Sequence, residues 1–87
     1  MDEFILKCKE EIVKYYNSKV CVTDNFTLSI SNVYPVTTYY TLGYMKGTFS
    51  TTVSDGMYYE MTYNKEKNEL YLDAYKKWDN VTIKDAL

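Results

Sequence analysis

The chain has no histidine, no arginine and no glutamine among its 87 residues. Without histidine, the Ser and Cys hydrolase triads and His-ligated metal centres are excluded. Without arginine, the bidentate fork that grips phosphate, carboxylate or guanine is missing, and all ten cations are lysine. Glycine is scarce, and Gly43, Gly47 and Gly56 stand alone, so no glycine-rich phosphate loop opens a helix. Two cysteines, Cys8 and Cys21, make no metal site by themselves and fit a reducing compartment. Cys8 falls on an apolar helical stripe and Cys21 has no evident base, so a catalytic thiol is not expected. No apolar run approaches the ~20 residues of a membrane span. The first fourteen residues carry Asp2, Glu3, Glu10 and Glu11, unlike a secretory signal. These absences predict a cytoplasmic, single-domain, non-enzymatic chain over residues 1–87, with no metal, no cofactor and no membrane partner.

Net charge is −2, from ten lysines against twelve acids. That balance makes nucleic acid an unexpected partner, because phosphate binding by counterion release calls for a basic excess. What the chain does have is tyrosine, at eleven positions. Tyrosine combines a large buried area with a polar tip, which suits a surface wet when free and dry in a complex.

The spacing of apolar residues sorts the chain into a helix followed by strands. Phe4, Ile5, Cys8, Ile12, Tyr15 and Tyr16 recur at three and four residues, one apolar stripe of a helix. Asp2 is a candidate cap, Asn17-Ser18 a stop, and Glu3/Lys7 and Glu10/Lys14 are four-apart pairs. The period then falls to two. Phe26, Leu28 and Ile30 alternate with small hydroxyl residues as a half-buried strand. Pro35 lacks a ladder donor, so residues 32–35 read as a connection or bulge. A long β-rich stretch covers residues 36–53. Ser54-Asp55-Gly56 signals a hairpin, residues 57–63 and 69–78 read as further strands, and 64–68 as a polar loop. Residues 81–87 are a candidate edge strand.

The expected fold is therefore α+β: an N-terminal helix packed on one face of a curved antiparallel four- to five-stranded meander. That outline is similar to the cystatin-like fold. The likeness is topological only. The inhibitory hairpin of cystatins contains a glutamine, which this chain lacks, so no activity or residue carries over.

Strand alternation divides the side chains between two faces. Phe26, Leu28, Ile30, Tyr39, Met45, Phe49, Val53, Met57, Tyr59, Met61, Tyr63, Leu70, Leu72 and Ala74 form the expected helix-facing side. Gly43 and Gly47 lie on it and would curve the long strand. The other face gathers Tyr40, Leu42, Tyr44, Lys46, Tyr58, Glu60, Thr62, Tyr71, Asp73 and Tyr75, with Thr27, Ser29 and Ser31 beside them. A solvated sheet face ordinarily reads polar. Tyrosines set among small hydroxyl residues instead resemble the chemistry of paratopes. The residues expected to bind a partner are Tyr40, Leu42, Tyr44, Tyr58, Glu60, Tyr71, Asp73 and Tyr75. The function this predicts is a protein-binding module, an inhibitor or modulator of a larger protein. The lysine-, tyrosine- and asparagine-rich composition fits a small phage or mobile-element protein directed at a host enzyme such as a defence nuclease. Two alternatives use the same residues: a structural homo-oligomer such as a homodimer, and a binder of single-stranded nucleic acid or nucleotides that stacks bases on tyrosine.

Overall fold

The structure, a computed structural model, describes residues 2–20 and 27–87. Helix α1 spans Asp2–Tyr15 and runs into a π turn at Tyr16–Val20. Phe4, Cys8, Ile12 and Tyr16, four residues apart, are its buried stripe. The expected lysine pairs are rearranged. Lys7 and Lys14 both reach Glu11, at 3.1 and 3.2 Å, rather than Glu3 and Glu10.

A 3-10 turn at Ile30–Asn32 leads into four strands: β1 (Val33–Thr41), β2 (Tyr44–Thr51), β3 (Met57–Asn64) and β4 (Glu69–Lys76). They form an antiparallel meander in sequence order and, among the described residues, the sheet is not closed and neither edge is paired. α1 packs on one face of this sheet, giving the two-layer α+β domain expected from the sequence. Its stripe meets Phe49, Tyr59 and Met61, and Leu28 and Val33 complete the buried core.

Three elements differ from the sequence reading, each for a local reason. The strand expected through Leu28 and Ile30 is absent; Phe26 lies outside the described residues. The Asn17 side chain accepts from the Leu28 amide at 2.9 Å and donates to its carbonyl at 3.1 Å. Leu28 therefore satisfies its backbone without a ladder partner. The Ser29 amide and hydroxyl both donate to the Asn32 side chain, which closes the 3-10 turn. The long stretch 36–53 is two strands, because Leu42-Gly43 is a two-residue hairpin turn pairing Thr41 with Tyr44. Leu42 and Gly43 have φ of +41° and +86°, the positive values that a type I′ turn requires at both central residues. Gly43 thus makes a turn rather than a bend within a strand. The edge strand expected at 81–87 is also absent; residues 77–87 run on from β4 without joining the sheet.

Of two turn signals, the one at Ser54-Asp55-Gly56 holds, while the connection or bulge expected at 32–35 is displaced, because Val33–Pro35 already belong to β1. Register shifts between Pro35 and Thr37, leaving Val36 as the bulge, with Pro35 on the edge strand β1. At the next hairpin the Asp55 carboxylate accepts from the Met57 amide at 2.9 Å, and Gly56 has φ of +76°.

Gly47 has a packing role. A Cβ there would lie 2.8 Å from the Phe49 ring, 3.2 Å from the Thr38 methyl and 3.4 Å from the Phe4 ring. The bare backbone lets the start of α1 sit close against β2.

Candidate functional site

The face of the sheet turned away from α1 is built row by row from the strand register. Thr41 lies beside Tyr44, followed by Asn64 and Glu69. The next row is Tyr39, Lys46, Thr62 and Tyr71, and the third is Thr37, Thr48, Glu60 and Asp73. At the far end Tyr34 pairs with Ser50, and Tyr58 with Tyr75. Six tyrosines (Tyr34, Tyr39, Tyr44, Tyr58, Tyr71 and Tyr75) share this face, each 40–48% exposed.

The expected membership needs correction in β1. Tyr40 pairs with Met45 and stands on the helix side, 59% exposed, while Tyr39 pairs with Lys46 on the outer face. Leu42 lies in the hairpin turn, 93% exposed. The cause is the two-residue turn. Reading 36–53 as one strand gives odd-numbered residues a single face, but folding it back at 42–43 sets each odd residue opposite an even one. The side chains of residues 37–41 therefore change sides relative to that reading, and the Val36 bulge restores the original parity at Val33–Pro35. The same correction brings in Tyr39 and Thr37, and Tyr34 joins them because Val33–Pro35 are strand rather than a connection. Thr27, Ser29 and Ser31, expected beside the face, lie outside the four strands. Tyr44, Tyr58, Glu60, Tyr71, Asp73 and Tyr75 lie where the sequence put them.

The face has internal order. Tyr58 and Tyr75 stack at 5.1 Å between centroids with 15° between their planes. The Tyr71 hydroxyl donates to the Glu69 carboxylate at 2.6 Å, and that bond holds the phenol proton, raising its pKa. Glu60 and Asp73 are direct cross-strand partners, a like-charge pairing that opposes sheet stability. Lys46 stands 4.0 Å from Glu60, at the outer limit of an ion pair. The centre of the tyrosine face is thus acidic.

The other side of the sheet carries two shallow grooves alongside α1. One is lined by Phe4, Met45, Tyr63 and Leu70, the other by Lys7, Lys14, Lys19, Leu70 and Leu72. Cys8 is a buried free thiol on this side, and desolvation pushes its pKa up to about 12, which suppresses the nucleophilic thiolate. Cys21 lies outside the described residues. Beneath α1, the Tyr59 hydroxyl is buried with no hydrogen-bond partner among the described residues, and one Asp55 oxygen shares that condition. Burial first, and then the Asp55 charge, raise the Tyr59 phenol to about 12.

Among the described residues, no group of three or more acids and cysteines is gathered as a metal site. No helix there is long and apolar enough to cross a membrane. No curated protein and no solved structure matches the chain. A family model matches residues 5–85, nearly the whole sequence, and the chain accordingly belongs to DUF6275, a family of unknown function.

Proposed function

We infer that this protein is a small non-enzymatic binding module that inhibits or modulates a larger protein by laying its tyrosine face on it. The observation that carries this reading is the set of six half-exposed tyrosines on one open sheet face, interspersed with Thr37, Thr48, Ser50 and Thr62. Tyrosine offers rigid contact area with little rotamer freedom to lose, and threonine and serine add adaptable hydrogen bonds. The Glu60/Asp73 pair at the centre gives the partner a chemistry: a lysine or arginine seated there relieves the like-charge contact. The same pair disfavours a nucleic acid, whose phosphates would meet carboxylates. It also disfavours a second copy laid face to face, which brings acid against acid. The small size and the lysine-, tyrosine- and asparagine-rich composition favour a host enzyme met by a mobile genetic element, nucleases included, as the partner class.

The test is alanine at Tyr44, Tyr58 and Tyr71 together. The triple variant should keep the wild-type circular dichroism spectrum yet lose capture of the partner that immobilised wild-type protein retains from host lysate. A folded variant that still retains that partner refutes the assignment of the face.

A further inference from the structure

Beyond the tyrosine face, the two sheet edges differ in a way that bears on assembly. On β1, Pro35 and the Val36 bulge interrupt the outer edge, devices that block strand addition. β4 has neither: its eight residues run without proline or bulge and, among the described residues, have no neighbour on the outer side. Beyond β4, residues 77–87 leave the sheet after one bond, from the Lys77 amide to the Gly56 carbonyl. Their apolar side chains are largely exposed, with Trp78 98%, Val81 70% and Ile83 76% exposed. The radius of gyration is 14.7 Å, against about 12 Å for a compact chain of this length, consistent with a projecting segment.

We propose that residues 81–84 of one copy pair with the free edge of β4 in a second copy, and that the exchange is reciprocal, giving a dimer. Three properties select this occupant. Val81-Thr82-Ile83 is a β-branched run, the composition strands favour. Its alternation matches the edge: with Val81 and Ile83 turned to the helix side, they extend the half-buried row Leu70, Leu72, Ala74. The same register turns Lys84 to the outer face, beside Glu69 and Asp73, where Glu60 and Asp73 leave negative charge incompletely met. Pairing with its own β4 would require a reversal at residues 77–80, and the chain runs on without one.

The test uses the full chain and a variant with Val81→Lys and Ile83→Lys. Both positions are exposed and outside the core, so the fold should persist. Light scattering across a dilution series should show a dimer near twice 10.3 kDa for the wild type. The double variant should dimerise at least about 100-fold more weakly, from the loss of two buried apolar side chains. Amide exchange over residues 69–76 should slow in the dimer and quicken in the variant. A wild type monomeric throughout overturns the proposal, as does a variant that remains dimeric. Protection of residues 81–84 in a monomer overturns it in favour of the chain's own edge. The tyrosine triple variant should keep the wild-type mass, so this dimer and the partner-binding reading fail separately.

Discussion

Replacing Gly47 by alanine tests how closely the helix and sheet approach. The new methyl carbon would stand 2.8 Å from a ring carbon of Phe49, where carbon–carbon contacts are comfortable at about 3.5–4.0 Å. Phe49 is fully buried and Phe4 nearly so, which leaves the crowded rings little room to swing. Overpacking of this kind costs roughly 1–3 kcal/mol. Opposing it, alanine restricts the unfolded backbone and returns about 0.4–1 kcal/mol where its conformation is unstrained. The expected net is a destabilisation of about 1–2 kcal/mol, or a Tm lower by roughly 4–16 °C for a domain of this size. Urea unfolding should be followed by far-ultraviolet circular dichroism, because Trp78, the only tryptophan, is almost fully exposed and reports little on the core. Shrinking the ring in the same background, as Phe49→Leu, should yield a double variant less destabilised than the two single changes summed. Wild-type stability for Gly47→Ala, or additivity in the double variant, refutes the close-approach argument.

Other substitutions probe the turn and the buried phenol. Leu42→Asn should stabilise the protein by up to about 1 kcal/mol in urea titration, since asparagine adopts the positive φ at a lower steric cost than leucine. Tyr59→Phe removes a buried hydroxyl without a partner among the described residues, so stability at pH 7 should be unchanged or rise by up to about 1 kcal/mol. The same variant has a pH signature. The folded-state pKa of Tyr59 is raised to about 12, so the unfolded chain loses this proton first, near 10. Its contribution is whole below pH 10 and drains away as pH climbs toward 12. The stability gap between Tyr59→Phe and wild type should therefore widen over that interval by roughly 2–3 kcal/mol. Cys8 titrates upward in the same direction but is common to both proteins. A constant gap from pH 9 to 12 contradicts the burial of the phenol.

The parts legible in sequence were those governed by periodicity. A four-residue stripe from Phe4 to Tyr16 reads as one helix face, and alternation from Met57 onward reads as two strands with the correct sides. Glu60 and Asp73 were recognisable as neighbours for the same reason. Legibility failed where a single side chain or turn overrode the pattern. Leu-Gly lacks the Asn-Gly or Asp-Gly signature of a two-residue hairpin, so residues 36–53 read as one strand and Tyr39 and Tyr40 were exchanged. Leu28 and Ile30 alternate like a strand, but the bidentate Asn17 amide, eleven residues away, takes the backbone bonds a strand would need. Such a long-range side-chain partner leaves no periodic trace.

The Leu42-Gly43 turn makes loop length a coding variable for the protein's surface. One codon inserted or deleted there, with the Val36 bulge absorbing the shift so that Val33 stays in the core, would invert residues 37–41 about the strand axis. Tyr40 and Thr38 would pass to the outer face, and Tyr39 and Thr37 would turn toward α1, with no other codon altered. A lineage could thus trade one half of its contact surface for another in a single frame-preserving event, while the buried residues of β2 and β3 kept their places. Within the family, variation in the length of this turn would mark where contact chemistry has been exchanged wholesale rather than refined residue by residue.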